Sequence, residues 1–355
     1  MSATPNKMPF SWVPSRGQWT FALLGVFVLG LFLRLPYPSP TWWHIDERAF
    51  ILHPLGFWSG DLNPHFFNYP TLPFYIASVL YYLYFLFSYD GSMMHFVVER
   101  YFTDGHDLIV LARGLHSVES ALTGVLCALV GRRLYGPFFG VVAGSFFAVM
   151  PLSVRFAHMA AVDTSQVLFQ TLALYCAVRL VRSGRPRDAL MGGIAVGLAA
   201  ASKYPGVLAL VPMGVACWFA VSSLRDRIIL LAYSGIAAVV AFAVTTPYVL
   251  LDWPTASAAL SGMSSEHLLS SAHDGDSFSL WYHLRYSGRY GVGMVGLVIL
   301  FVGIWWSVRQ GRREEWVIVS AMLAYVLFLA AASSVFMRYA LPLAPIVALL
   351  WGGVL

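Results

Sequence analysis

Apolar residues recur along the whole chain in long runs that short polar segments separate. Many runs approach the roughly 20 residues with which an α-helix crosses a hydrocarbon core of about 30 Å. The pattern predicts an all-α, polytopic membrane protein with about ten transmembrane helices. We place the spans at residues 19–35, 107–130, 138–154, 164–181, 189–202, 204–222, 228–251, 290–308, 316–335 and from 341 onward.

Composition also favours a membrane protein over a soluble one. Hydrophobic residues make up 59% of the 355 positions and charged residues only 11%, with a mean hydropathy of +0.70. Soluble domains are roughly a quarter charged. The net charge of +5 lies in loops between apolar runs, so we expect the lipid bilayer as partner and no nucleic acid. The cysteines lie inside apolar runs, which predicts neither disulfides nor a thiolate metal site: Cys127, Cys176 and Cys217.

Basic residues cluster in alternate segments between the spans, which predicts an orientation. By the positive-inside rule these segments and the N-terminus are cytoplasmic, and the acid-rich segments between them are extracytoplasmic. The first apolar run contains Arg34 and lacks a small-residue cleavage pattern, so we expect an uncleaved span in the plasma (inner) membrane. The basic clusters are Arg132 with Arg133; Arg179, Arg182, Arg185 and Arg187; Arg225 with Arg227; and Arg309, Arg312 and Arg313.

One segment, from Thr71 to Tyr89, is apolar enough to cross the membrane, yet a crossing there would break the alternation of charges. It is crowded with aromatic residues, and two prolines, Pro70 and Pro73, stand at its start. Aromatic residues are enriched at membrane interfaces. We therefore expect a helix that lies in or dips into the outer interface. The alternative is an additional span with a compensating change elsewhere.

The chain is expected to form a single membrane domain over residues 1–355. No repeat, low-complexity tract or soluble domain is visible in it. Two sizeable outer loops, 37–106 and 252–289, interrupt the spans. The last apolar run is short for a crossing, so we expect the sequence to be part of a longer protein.

The first outer loop carries two adjacent carboxylates, Asp46 and Glu47, with His44 and Arg48 beside them. A carboxylate where a helix leaves the bilayer can act as a general base towards an acceptor hydroxyl. Asp46 is the first candidate for that role. The alternative is that both acids form a solvated loop pair or cap the following helix.

A second acidic candidate, Asp163, lies outside at the start of the fourth span in the predicted topology. It can therefore approach Asp46 although the two are far apart in sequence. The alternative is a purely structural cap, because aspartate is favoured at the positive end of a helix.

Single basic residues near outer helix ends run against the orientation rule and call for a partner. Lys203 and Arg338, the latter followed by Tyr339, each stand at a tight corner between two spans. A lipid-linked phosphate could be held there by an ammonium and a guanidinium. The alternative is that both side chains extend to lipid headgroups.

Ionisable residues also occur inside a predicted span. Arg113, His116 and Glu119 all lie in the second one, where such groups are usually paired and often functional. The six-residue spacing of Arg113 and Glu119 does not predict a shared salt bridge. The outer-loop histidines show no zinc-ligand spacing, so neither a metal nor another cofactor is predicted.

Several motifs in series resemble family 39 of the GT-C glycosyltransferases, which includes protein O-mannosyltransferases and the aminoarabinose transferase of lipid A. The resemblance runs in order from about Arg34 to the C-terminus. Its motifs are Asp46-Glu47 and residues 63–75, 131–136, 158–164, 202–206 and 338–342.

The resemblance implies a GT-C bundle and an inverting transfer of a sugar from a dolichyl- or undecaprenyl-phosphate donor to a lipid, glycan or protein acceptor. It places the active site between the first outer loop and the membrane. Asp46 and Glu47 match the family's first-loop acidic motif, and Asp163 matches its second outer-loop aspartate. The loop residues expected near the substrates are His44, Arg48, His65, Asn68, Tyr69 and His158.

The chain also departs from the pattern of the family. Where the aminoarabinose branch has an acidic and a basic residue before the prolines, this chain has Asn68 and Tyr69. That difference argues against that donor and against the metal site of that branch. The soluble domain of the eukaryotic mannosyltransferases is not visible, so a bacterial or archaeal member is expected. A lipid or solute transporter is the rival class, since transporters also carry intramembrane charges.

Overall fold

The structure is a computed structural model that describes residues 12–35, 44–269, 279–332 and 335–354. Of residues 263–269 it describes the backbone alone. All regular structure within these ranges is helical, which confirms the predicted all-α membrane bundle. The helices of the first half are α1 Arg16–Phe32, α2 Ala49–Gly56, α3 Leu72–Ser88, α4 Met93–Phe102, α5 His106–Tyr135, α6 Pro137–Val149, α7 Pro151–Ala157 and α8 Asp163–Ser183.

The second half continues in the same way. The described chain also contains four short 3-10 turns and one π-helical turn, at His283–Gly288. The 3-10 turns are Ile45–Arg48, Phe57–Ser59, Tyr204–Ala209 and Met337–Leu343. The helices are α9 Pro186–Ser202, α10 Leu210–Ala220, α11 Leu224–Thr245, α12 Tyr248–Leu251, α13 Trp253–Leu269, α14 Ser279–Tyr282, α15 Arg289–Gly291, α16 Met294–Gln310, α17 Arg313–Ala331 and α18 Ala344–Val354.

Helices occupy each of the ten predicted spans. Among the described residues, five helices are long and apolar enough to cross a membrane, and up to eight if each bent pair counts as one span. Arg16–Phe32 and Tyr204–Ala220 are shorter apolar helices. The bundle is therefore polytopic, although several predicted spans are shorter or more bent than a straight membrane helix.

Small residues allow the helix backbones of the bundle to touch. A Cβ added at Gly140 of α6 would lie 2.5 Å from the carbonyl oxygen of Ala128 on α5. A Cβ added at Gly193 of α9 would lie 2.2 Å from the carbonyl oxygen of Ser234 on α11. Since lipid supplies little hydrophobic force between helices, this close packing is what holds membrane helices together.

A buried arginine stabilises the break between α6 and α7, which bend by 54° at Pro151. Arg34 is fully buried and donates to the carbonyl oxygens of Phe147 at 3.2 Å and Ala148 at 2.7 Å. It also donates to the Ser153 hydroxyl at 2.7 Å. These bonds satisfy carbonyl groups that the end of α6 leaves without helical partners.

Contacts between the segments that connect the helices show which of them lie at the same end of the bundle. At one end, Arg182 pairs with Glu314 at 2.7 Å, Arg132 lies 4.4 Å from the Trp19 ring centroid, and Arg312 donates to the Leu134 carbonyl at 3.4 Å. These residues come from the predicted cytoplasmic segments, which therefore share one end of the bundle. We call the other end, which carries Asp46, the site end.

The segment 71–89 forms a helix, α3, that packs on α2 and α5. Its Phe74, Ala77 and Tyr81 are buried, whereas Val79 and Phe87 are exposed on the other side. The chain then turns by 119° into α4. A helix with one packed and one exposed apolar side suits an interfacial position, which remains a prediction.

Candidate active site

The first acidic candidate meets a cation from the far end of the chain. Asp46 lies in the turn Ile45–Arg48, and its Oδ2 accepts a hydrogen bond from Nη1 of Arg338. The Asp46 carboxylate is about a fifth exposed. His44 lies beside it, with 3.4 Å between His44 Nδ1 and Asp46 Oδ2. The turn thus presents one partly open carboxylate already paired with a guanidinium.

The second acidic candidate is paired in the same way. Asp163 is the first residue of α8, and its Oδ1 lies 2.6 Å from Nζ of Lys203. The Lys203 ammonium also lies 4.8 Å from the ring centroid of Tyr339. Asp163 does not cap its own helix with a side-chain hydrogen bond, because no such bond is present at the N-terminus of α8. Its carboxylate binds the lysine instead.

The acids of the two pairs, Asp46 and Asp163, line the same narrow cleft. Its walls include Asp46, Phe50, Tyr69 and Asp163. Burial raises the pKa of the Tyr69 phenol above its usual range, and the Asp46 carboxylate raises it further. The Tyr69 phenol is therefore neutral in the wall of the cleft. Asp46, Asp163, Lys203 and Arg338 come together here from four separate segments.

The second carboxylate of the loop pair has a different environment. Glu47 is fully buried, and Arg113 of α5 donates to both of its oxygens at 2.7 Å. The backbone amides of Ala160 and His44 donate to it at 2.9 and 2.8 Å. Burial raises the pKa of Glu47, but the hydrogen bonds from Arg113 and the two amides outweigh it, so the pKa lies below its ordinary value.

These contacts set Glu47 apart from the other two predicted acids. A side chain with no exposed surface and every oxygen engaged does not face the cleft. Instead it joins the turn that carries Asp46 to α5 and to the connection that leads to Asp163. Arg113, for which no salt bridge to Glu119 was predicted, pairs with Glu47.

The other end of the predicted intramembrane cluster is also paired. Glu119 Oε2 lies 2.9 Å from His116 Nδ1 and accepts a hydrogen bond from Ser165 at 2.8 Å. His116 is fully buried, with its ring 5.1 Å from that of Phe50. This network ties α5 to α8 behind the wall of the cleft.

Several predicted loop residues lie apart from the cleft. His65 pairs with Asp61 at 2.8 Å, and its other nitrogen lies 4.0 Å from Asp252. Arg48 borders a separate cavity with Arg100, and Asn68 is exposed. His158 is half-buried, and burial together with nearby Arg34 lowers its pKa although the Leu33 carbonyl raises it. Sequence alone could not show which way these side chains point, because an isolated loop residue can face either side.

Two features of the site were missed from the sequence. One is the pairing of Arg113 with Glu47, although the placement of an arginine inside a span was a signal for it. The other is a clamp on the first loop, in which Asn63 donates to Asp252 at 2.9 Å and Tyr204 donates to the Phe67 carbonyl at 2.9 Å. This clamp holds the segment that ends in Tyr69 against the start of the second outer loop and against the turn Tyr204–Ala209.

No group of three or more metal-ligating side chains is placed to hold a metal ion within the part of the chain that the structure describes. Asp46 and Asp163 each face a cation instead. The chemistry that this arrangement supports is acid–base and electrostatic: one carboxylate for proton transfer, and two cations and neutral donors for an oxyanion.

The fold is that of the GT-C membrane glycosyltransferases, as the sequence motifs predicted. ArnT from Cupriavidus metallidurans, bound to undecaprenyl phosphate, matches with a TM-score of 0.65 and 18% identity over 94% of this chain and 58% of that one. The Archaeoglobus fulgidus oligosaccharyltransferase matches with a TM-score of 0.61 and 12% identity over 95% of this chain and 50% of that one.

More particularly, residues 106–251 match the sequence model of the dolichyl-phosphate-mannose-protein mannosyltransferase family. The protein O-mannosyltransferase complex Pmt1-Pmt2 of S. cerevisiae, bound to its sugar donor, is similar with a TM-score of 0.52 and 17% identity over 69% of this chain and 35% of that one. No curated protein matches the chain. The chain spans about half the length of the solved structures that it resembles. The glycosyltransferase class predicted from the sequence is supported by both comparisons.

Proposed function

We propose that the protein transfers a sugar from a polyprenyl-phosphate donor to a hydroxyl of a lipid, glycan or protein acceptor. The observation that carries the proposal is the convergence of Asp46, Asp163, Lys203 and Arg338 on one cleft at one end of a membrane bundle. The ArnT structure, which is bound to undecaprenyl phosphate, supports a polyprenyl-phosphate donor. The family model that matches residues 106–251 supports sugar transfer.

The cations receive the phosphate of the carrier. Lys203 and Arg338 are each paired with a carboxylate, so their positive charges are held in place before a ligand arrives. A phosphate can replace a carboxylate at a guanidinium, because both anions present two oxygens that accept a bidentate pair of N–H hydrogen bonds. As the phosphate binds Arg338, Asp46 loses its partner and becomes free to accept a proton.

The reaction is a single displacement with inversion. The acceptor oxygen attacks C1 of the sugar while the bond from C1 to the phosphate oxygen breaks. The acceptor proton passes to Asp46, and the bonding electron pair leaves with the carrier phosphate. Lys203 and Arg338 stabilise the charge that grows on this phosphate, and such preorganised stabilisation is usually the largest catalytic contribution. Tyr69 and Asp163 orient hydroxyl groups of the substrates within the cleft. The Tyr339 ring lies beside the Lys203 ammonium and the Arg338 guanidinium.

Glu47 acts through Asp46 rather than on the substrates. Its bonds to Arg113 and to the Ala160 amide connect the Asp46 turn to the segment that carries Asp163. It is therefore a positioning residue that sets the distance between the two acids.

The site end is proposed to face the outside of the plasma membrane. The basic segments at the opposite end are those that the positive-inside rule assigns to the cytoplasm. The donor would then bind from the outer leaflet, with its prenyl tail in the bilayer beside the bundle.

The proposal is tested by the release of carrier phosphate from a panel of synthetic undecaprenyl-phosphate sugars by the purified chain. Asp46→Asn is expected to lower turnover by about 10²- to 10⁴-fold, the usual contribution of a general base. Asp61→Asn, which alters an exposed acid of the same loop, is the matched control and should keep wild-type turnover. Wild-type turnover by Asp46→Asn in folded form would refute the assignment.

A further inference from the structure

A short segment beside the site carries an exposed row of tyrosines and arginines that the proposed reaction does not use. The ring centroids of Tyr282 and Tyr286 lie 4.9 Å apart, and those of Tyr286 and Tyr290 lie 6.4 Å apart. The guanidinium of Arg285 lies 5.5 Å from the Tyr286 ring centroid, and that of Arg289 lies 5.5 Å from the Tyr290 ring centroid. We call these five residues the Tyr–Arg ladder.

The face opposite the ladder is buried, so the direction of its side chains is fixed. Ser279, His283 and Ser287 lie on that buried face. Ser279 donates to the Leu329 carbonyl at 2.6 Å, and His283 Nδ1 lies 2.9 Å from the Ser287 hydroxyl. The π-helical turn His283–Gly288 widens the helix at this point, a feature that often accompanies functional sites.

The segment runs at a steep angle to the span that follows it. Ser279–Gly291 and Met294–Gln310 are bent by 114° at Gly293, whose φ of +89° is open to glycine at little cost. If Met294–Gln310 crosses the bilayer, the preceding segment runs close to the membrane plane. Exposed Trp281 and Met294 place apolar side chains beside the ladder. Tyrosine, tryptophan and arginine side chains at the membrane–water interface contact lipid headgroups.

The segment that carries the ladder and the helix that follows it contain no acidic residue. No acidic residue occurs between Ser279 and Arg313. Across the described ranges, neither Arg285 nor Arg289 forms an ion pair, and both are exposed. A guanidinium stacked on a tyrosine ring keeps its N–H donors free for an oxyanion. The ligand that fits two such groups in the membrane plane is a lipid phosphate.

We propose that the Tyr–Arg ladder binds anionic phospholipid headgroups in the leaflet at the site end. The segment packs against Met337–Leu343, the turn that carries Arg338. Headgroup binding at the ladder therefore supports the backbone from which Arg338 reaches Asp46. This surface is separate from the cleft and extends the proposed function to recognition of the surrounding lipid.

The experiment is a titration of the full chain in detergent with phosphatidylglycerol, followed by native mass spectrometry. Arg285→Gln/Arg289→Gln is expected to raise the apparent Kd for phosphatidylglycerol by roughly tenfold or more, because each substitution removes a charge-assisted hydrogen bond to the headgroup phosphate. Phosphatidylcholine, which carries no net charge, should bind weakly to both proteins. Arg225→Gln/Arg309→Gln, which removes two arginines from the opposite end, is the charge-matched control and should change the Kd less.

Unchanged phosphatidylglycerol binding by the ladder variant would overturn the proposal, as would an equal loss in the control. A parallel titration uses undecaprenyl phosphate. If the ladder variant loses only undecaprenyl phosphate, the ladder belongs to the donor site and the phospholipid assignment is wrong. Thermal unfolding of each variant verifies folding, and an unchanged midpoint is expected because the altered side chains are exposed. No sugar transfer enters the readout, so a failure of the proposed reaction leaves the result interpretable.

Discussion

At the scale of single residues, the cleft holds its cations by pairing each with an acid. Arg338 binds Asp46, and Lys203 binds Asp163. The pairing offsets the cost of burying charges, since an unpaired buried ion is strongly destabilising. The pairing also links donor binding to catalysis in the proposed reaction, because a phosphate that binds Arg338 frees the Asp46 carboxylate to act as the base.

Arg338→Gln is expected to lower kcat/KM for a polyprenyl-phosphate sugar by roughly 30- to 150-fold. The estimate follows from the loss of one charge-assisted hydrogen bond to phosphate, about 2–3 kcal/mol. Steady-state release of carrier phosphate measures it. Arg155→Gln removes an exposed arginine that stacks on Phe156 and should have little effect. Equal losses in both variants would show that Arg338 does not contact the donor.

The Glu47–Arg113 pair is expected to stabilise the folded chain far more than an exposed pair. Removing one partner of a buried pair costs about 3–5 kcal/mol, against about 0–1 kcal/mol for a surface pair. Double-mutant cycles with Glu47→Gln and Arg113→Gln, and with Arg182→Gln and Glu314→Gln as the exposed control, measure the coupling during reversible unfolding in mixed micelles. Coupling energies of equal size would contradict a special role for Glu47.

The same pair has a predicted pH dependence. Because the pKa of Glu47 is lower in the folded chain than in the unfolded one, its stabilisation is complete above the unfolded pKa of about 4.3 and is lost as the pH falls through the folded pKa. The coupling energy should thus be the same at pH 7 and pH 6. A coupling that already falls between these two values would indicate a different titrating group.

At the scale of elements, the spans could be predicted but their breaks and contacts could not. Apolar length identified the helices near 138–154 and 290–308, yet the chain bends at Pro151 and Gly293 within them. Both residues are visible in the sequence, but membrane helices tolerate proline and glycine, so neither residue alone predicts a bend. The convergence of Asp46 with Arg338 depends on how ten helices pack, which no local pattern encodes.

Helix contacts at glycine give a prediction at this scale. Gly193→Ala is expected to destabilise the bundle by about 1–3 kcal/mol, because its Cβ would overlap the Ser234 carbonyl on α11. Gly235→Ala is the matched control, since nothing lies within 4 Å of its added Cβ. Alanine has the higher helix propensity, so the control should be neutral or slightly stabilising. Equal stabilities of the two variants would mean that α9 and α11 do not approach as described.

At the scale of the whole molecule, the two ends of the bundle differ in chemistry. The site end gathers the acids, the cleft and the aromatic helices α3 and α4, whereas the opposite end gathers arginines such as Arg132 and Arg182. The structure brings the acids together at one end and the arginines at the other, and the positive-inside rule then assigns a side of the membrane to each end. The distribution of charged residues therefore predicts the orientation, and the structure identifies residues at each end with which to test it.

Single cysteines test that orientation, because the three native cysteines are buried and slow to react. Asp90→Cys places a thiol on an exposed residue between α3 and α4 at the site end, and Gln310→Cys places one at the end of α16 on the opposite side. A membrane-impermeant maleimide applied to intact cells should label Asp90→Cys at once and Gln310→Cys only after permeabilisation. The positive-inside rule makes this the expected result, since Gln310 adjoins Arg309, Arg312 and Arg313. The reverse pattern would place the cleft in the cytoplasm, where its donor would have to be reached from the inner leaflet.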